Sequence, residues 1–200
     1  RNIMDFKLLF EDFPERIIPY DYDAYFSNPA RFVMVTTNCL TGKAEYFEEK
    51  SSSKRVMDIV RASSSLPFVS PITYVDGVPM LDGGIADSIP VRYALSQGYE
   101  RLVVILTRNK GYRKQNSEMR AAKVFYRKYP NLQKALSERN AVYNQTMDLI
   151  ERLEDEGRIT VIRPIRPVEV GRMEKDTAKL TMLYQEGYDI ARSLIACENA

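Results

Sequence analysis

Histidine is absent from the 200 residues, as is tryptophan, and only two cysteines are present. Without histidine the commonest general base and the commonest metal ligand are both missing. Cys39 and Cys197 are too far apart in sequence for a zinc-ligand pair. Ordinary zinc and haem sites therefore have no basis in this chain, no metal or cofactor is expected, and both cysteines read as buried free thiols. Charge of one sign is not in excess: 29 basic against 27 acidic residues leave +2, which gives no case for nucleic acid as a partner. No apolar run reaches the roughly 20 residues of a membrane span. No glycine-rich loop has the spacing of a phosphate cradle. The chain opens at Arg1 without Met and without a signal-like apolar run, as a processed protein or an excised segment would, and a cytoplasmic location is the expectation.

What is present is an alternation of strand and helix signals. Apolar residues make up 44%, enough for a core of one domain or most of a larger one. Residues 1–31 are mixed and aromatic, with Pro14, Pro19 and Pro29 expected to break them. Residues 31–38 read as a strand, buried where Phe32–Val35 run unbroken. A turn at 40–43 returns the chain into a second strand over Ala44–Phe47. Ser51–Ser53 cap a helix over Lys54–Ser64 that ends before Pro67. Asp76-Gly77 joins two short strands as a hairpin. Asp87 or Ser88 caps the next helix, which Gly98 stops. Arg101–Thr107 reads as a central strand, and strand, helix, strand at this spacing predicts a parallel crossover. Helical spacing returns over 132–156, a strand follows at Ile159–Ile162, and Asp176 caps a last helix.

Met80-Leu81-Asp82-Gly83-Gly84-Ile85 carries the chemistry. A carboxylate at a strand end, followed by two glycines that allow tight turning and close backbone approach, can be held against a reacting group. A plain turn with a solvated acid is the alternative from spacing alone. Asp87, five residues on, reads as a cap rather than a second catalytic or metal-binding carboxylate. Asp76 reads as a turn residue, and Ser63–Ser65 as packing and capping residues rather than nucleophiles. Residues 108–114 combine Arg108, Lys110, Arg113 and Lys114 with Tyr112. They are either a solvated loop or an attractor for a phosphate head group or anionic membrane surface. Tyr126-Arg127-Lys128-Tyr129 invites the same pair of readings, or a lid.

Three segments together resemble the bacterial patatin-like phospholipase family. They are Arg61–Pro71, with its Ala-Ser-x-x-hydrophobic-Pro pattern, Tyr74–Gly84 with Asp-Gly-Gly at its end, and Val103–Arg108. Pro164–Arg172 is similar to one bacterial branch. The resemblance implies a partial three-layer α/β fold, with a mainly parallel sheet and flanking helices. Residues 1–200 would be the C-terminal portion of that domain, with a helical extension from about 108. It also implies a serine acyl hydrolase acting on phospholipid or another acyl ester through a Ser–Asp dyad, and Asp82 matches the dyad aspartate. The G-x-S-x-G elbow and the glycine-rich oxyanion loop do not occur in residues 1–200. Family order places both ahead of Asp82, so they are expected before Arg1, and the isolated chain is expected to be inactive. A non-catalytic α/β module binding lipid or protein is the alternative. An unrelated sugar or nucleotide enzyme using Asp82 as base ranks below both. Peripheral membrane contact and self-association through uncovered apolar surface complete the expectations.

Overall fold

The computed structural model describes residues 5–115, 120–171 and 174–198, with backbone alone at 120 and 195–198. The chain divides into two compact units: residues 1–90 with 115–143, and residues 91–114 with 144–200.

The first unit begins with a π-helical segment, Leu8–Ile17, that contains Pro14. Pro14 therefore does not break the chain. The wide winding, seen in the Ile18 N–H bond to the Phe13 carbonyl (2.9 Å), takes up the ring. Helix α1, Tyr22–Ser27, is capped by Asp21, whose carboxylate accepts from the Ala24 N–H at 2.8 Å. Four strands follow: β1 (Met34–Asn38), β2 (Ala44–Phe47), β3 (Thr73–Val75) and β4 (Val78–Asp82), in the spatial order β2-β1-β4-β3. All three pairings are antiparallel. Short connections dictate this for the two hairpins, because a parallel return needs a crossover of a dozen or more residues. At the β3–β4 turn Asp76 and Gly77 have φ +51° and +79°. Positive φ at both central positions is the turn that matches strand twist.

Helix α2 (Ser53–Ser63) lies between β2 and β3, with Ser52 as its cap. Its Ile59 and Ala62 pack with Met34, Val75 and Met80 on one face of the sheet. Leu81 points to the other face. There it joins Cys39, Ile85, Ala122 and Tyr126, with Leu132 and Leu136. The last four belong to α4 (Arg120–Phe125), the turn after it, and the start of α5 (Pro130–Asp155). The result is the expected three-layer α/β arrangement. Cys39 is wholly buried, and burial pushes its thiol up to about 12, so it is inert. Cys197 lies outside the described side chains. Tyr126 is a core residue whose hydroxyl accepts the Phe68 N–H at 2.9 Å. That bond helps hold Phe68 at φ +69°, a strained backbone for a bulky side chain. Tyr129 packs beside it, so the aromatic pair of 126–129 is interior structure rather than a lid.

The second unit contains α3 (Val91–Ser96), β5 (Leu102–Ile105), the later half of α5, β6 (Ile159–Ile162) and α6 (Thr177–Glu198). β5 pairs with β6 in parallel, in the register Leu102↔Ile159. The parallel pairing is thus between β5 and β6, not between β4 and β5 as strand, helix, strand spacing suggested, since β4 lies in the antiparallel sheet. Nor is β5 a central strand. Among the described residues it has one neighbour, and although Val104 and Leu106 are buried, Val103 and Ile105 are 61% and 73% exposed. Asp176 caps α6 as expected, accepting from Ala178 N–H at 2.9 Å.

A buried carboxylate ties α2 to the β3–β4 hairpin. Glu49 is 6% exposed. It accepts from the Ser51 N–H and hydroxyl (both 2.7 Å) and from Arg55 Nη1 (2.5 Å), and Arg55 Nη2 reaches Asp76 at 2.8 Å. The Ser51 hydroxyl, the Arg55 guanidinium and the Ser51 N–H hold the Glu49 carboxyl at about 2, below the ordinary 4.5. A depressed folded-state pKa gives stability that is present above 4.5 and lost as pH falls through about 2. Glu49→Gln is expected to lower the unfolding free energy at pH 7 by about 1–3 kcal/mol. Urea unfolding at pH 7 and pH 3 checks this, the gap between variant and parent shrinking at the lower pH.

Candidate active site

β4 delivers Asp82 to the end of the antiparallel sheet, where it sits opposite Thr36. Its N–H donates to the Ser65 carbonyl at 2.9 Å. The Thr37 hydroxyl donates to the Asp82 carbonyl at 2.9 Å and accepts the Ala86 N–H at 3.2 Å. One buried side chain thereby fastens the strand end and the following turn together. The chain then winds through a single 3₁₀ turn, Gly83–Ile85. The Gly84 N–H donates to Asp82 Oδ1 at 2.6 Å, which fixes the direction of the carboxylate.

Both glycines are needed for this shape. A Cβ on Gly83 would lie 2.4 Å from the Val35 carbonyl oxygen, and one on Gly84 would lie 2.9 Å from Asp82 Oδ1. The first contact is backbone against backbone and cannot relax by rotating a side chain. The second would push directly on the carboxylate.

Asp82, Gly83 and Gly84 open onto a cavity of about 360 Å³ that also reaches Phe32–Val35, Ser63, Ser64, Asp87 and Ser88. The expectation that Phe32–Val35 is a buried strand core is corrected here. The strand begins only at Met34, Phe32 is 50% exposed, and all four residues of the run line the cavity. Their apolar surface forms a wall beside the carboxylate.

Asp87 does not cap α3, which begins four residues later at Val91. Its Oδ2 accepts from the Tyr46 hydroxyl at 2.6 Å, and its N–H donates to the Gly83 carbonyl at 2.8 Å. Ser88 is not the cap either: its hydroxyl donates to the Gly84 carbonyl at 2.8 Å. Both residues close the turn onto itself and onto β2. Ser63 and Ser65 are structural, as expected. Ser63 donates to the Val35 carbonyl at 2.8 Å, and the wholly buried Ser65 donates to the Arg61 carbonyl at 2.8 Å. Asp76 is the turn residue expected, with the added ion pair to Arg55. Sequence reasoning missed Thr37 and Tyr46. Two consecutive threonines directly after the apolar Phe32–Val35 run were the available signal for the first. Tyr46 sits on the edge strand β2 and its spacing gave none.

The basic segment 108–114 belongs to the second unit. Lys110 pairs with Asp155 (3.1 Å), Arg113 with Asp148 and Glu151 (both 2.7 Å), and the Arg108 guanidinium lies 5.1 Å from the Tyr112 ring centroid. Carboxylates of α5 therefore engage two of the four cations, as in a packed loop. Among the described residues no group of three or more Asp, Glu or Cys side chains could hold a metal ion. No described helix is long and apolar enough to cross a membrane.

Residues 4–95, which include Asp82, match the family model described as patatin-like phospholipase. Residues 129–196 match a domain of unknown function, DUF6363. A stretch of 52 residues is 48% identical to the "Uncharacterized protein YjjU" of Escherichia coli (strain K12); it covers 26% of this chain and 15% of that protein. The first of these matches supports the resemblance to that family and a partial α/β fold over those residues.

Gly83 and Gly77 make a paired test of the turn geometry. Gly83→Ala meets the Val35 backbone, and overpacking of this kind costs about 1–3 kcal/mol. At Gly77 the space is open and only φ is unfavourable, so Gly77→Ala is expected to cost about 1 kcal/mol. Denaturant midpoints of the two variants check the order.

Proposed function

We propose that Asp82 is the general base of a Ser–Asp acyl hydrolase acting on phospholipid or a related acyl ester. Its serine and oxyanion donors would be supplied by polypeptide ahead of Arg1. The observation that carries this reading is the Asp82 carboxylate, oriented by the Gly84 N–H at 2.6 Å and opening onto a cavity with an apolar wall. The match of residues 4–95 to patatin-like phospholipase supports it.

A serine hydroxyl is a weak nucleophile until a base takes its proton. With no histidine in the chain, a carboxylate held in one direction can fill that role. The serine oxygen bonds to the ester carbonyl carbon while its proton passes to Asp82. Collapse of the tetrahedral intermediate breaks the bond to the alcohol, which leaves with that proton. Water then attacks the acyl-serine, again giving a proton to Asp82; collapse of the second intermediate breaks the bond to the serine oxygen, which takes that proton from Asp82 as the acid leaves. Backbone N–H donors aimed at the developing oxyanion are required in both halves. Phe32 and Val33, which line the cavity, would lie along the acyl chain. Membrane contact is not needed for this chemistry, since a dispersed ester can enter the same cavity.

Hydrolysis of a short-chain activated ester tests the reading. The reactants are the 200-residue chain, the longer polypeptide that includes the preceding reading frame, and the Asp82→Asn form of the latter. Only the unmutated longer polypeptide is expected to turn over substrate, with Asp82→Asn lower by roughly 10²–10⁴-fold, the range for loss of a general base. Gly84→Ala, which crowds Oδ1, is expected to lower kcat more than it raises KM. Appreciable turnover by the 200-residue chain overturns the missing-serine part of the reading. No activity in any folded form favours the non-catalytic lipid- or protein-binding module.

A further inference from the structure

A second cavity of the first unit, of about 490 Å³, is formed by α1, the loop that leads from it into β1, and Lys50. Its volume is in the roughly 300–1,000 Å³ range of small-molecule pockets. Phe32 lines it, and Phe32 is also the one described residue that it shares with the cavity beside Asp82. Aromatic rings lead on from that shared residue. Phe32 meets Tyr25 edge-on with centroids 6.1 Å apart, and Tyr25 meets Tyr20 at 6.0 Å. Ala24 and Ala30 add to the apolar part of the wall.

The polar groups around this second cavity are already engaged within the protein. The Asp21 carboxylate accepts the Ala24 N–H, and Asn28 Oδ1 the Ala30 N–H, both at 2.8 Å. The Tyr25 hydroxyl donates to the Glu49 carbonyl at 3.0 Å. Lys50 Nζ donates to the carbonyls of Tyr25, Asn28 and Ala30 at 3.4, 2.8 and 3.0 Å, which uses all three of its N–H bonds. The Arg31 guanidinium is held by the Glu48 carboxylate at 2.6 Å. An ionic or sugar-like head group would compete with bonds that the protein makes with itself. An alkyl chain needs no such exchange, and it gains by covering the rings.

We propose that the two cavities are one acyl site, in which the ester group lies at Asp82 and a long acyl chain passes Phe32 to end against Tyr25 and Tyr20. The substrate class is then a long-chain acyl ester. This rests on the Asp82 reading and adds to it the length of the chain.

Ala24→Trp and Ala30→Trp place bulk in the second cavity from two different segments, and neither residue lines the cavity beside Asp82. Hydrolysis of 4-nitrophenyl butyrate and 4-nitrophenyl dodecanoate, both in monomeric solution, tests the proposal. The enzyme is the longer polypeptide that includes the preceding reading frame. Its kcat/KM for the dodecanoate is expected to exceed that for the butyrate by at least about tenfold, since each further methylene buried is worth roughly fourfold. Each Trp variant is expected to lower the dodecanoate value about tenfold and to leave the butyrate value within about twofold of the parent's. The proposal is overturned if the parent hydrolyses butyrate through Asp82 but dodecanoate no faster. It is also overturned if a folded Trp variant lowers both esters alike or neither, and either variant decides the matter should the other fail to fold. Absence of turnover with both esters fails the Asp82 reading itself and removes the acyl site with it, a result distinct from the other two.

Discussion

The close approach of Gly83 to the Val35 carbonyl is the constraint on which the Asp82 turn depends. A Cβ at this position would lie 2.4 Å from that oxygen, so no other residue lets β4 end where it does. Because the backbone comes this close to β1, the Thr37 hydroxyl on the same strand can bond both the Asp82 carbonyl and the Ala86 N–H. Because the turn is then tight, the Gly84 N–H reaches Oδ1. The Thr37 hydroxyl and the Gly84 N–H thus both contribute to the direction of one carboxylate. That suits a chain with no histidine to share the work. Asp87 ties the same turn to β2 through Tyr46, so β1 and β2, successive strands on one side of β4, both hold it.

Much of this was legible in the residues, and the reasons differ by element. The Asp76-Gly77 hairpin, the Ser52-capped α2, the long α5 and the Asp176-capped α6 were readable because their signals are local. Turn chemistry, caps and helical periodicity lie within a few residues of the structure they specify. Phe32–Val35 misled for a physical reason. An unbroken apolar run is what a buried strand requires, but a wall of an open cavity requires the same side chains, and only the fold distinguishes them. Arg101–Thr107 misled in the same way: its Leu-Val-Val-Ile-Leu run suits a central strand, yet among the described residues β5 has a single neighbour.

Within the site, Asp82 was visible through its two glycines, whereas its supports were not. Thr37 and Tyr46 act across 45 and 41 residues of sequence respectively, and no periodicity links positions that distant. Asp87 illustrates the opposite error. It stands before a helix, where a cap is the usual use of aspartate, but α3 starts too late for its side chain to serve. A local rule was overridden by one long-range hydroxyl.

The lining beside Asp82 is acidic as well as apolar. The cavity beside Asp82 is lined by two carboxylates, Asp82 and Asp87, and by no Lys or Arg. On the proposed reading a neutral acyl ester group can sit there, whereas the carboxylate released on hydrolysis would meet negative charge that favours its departure.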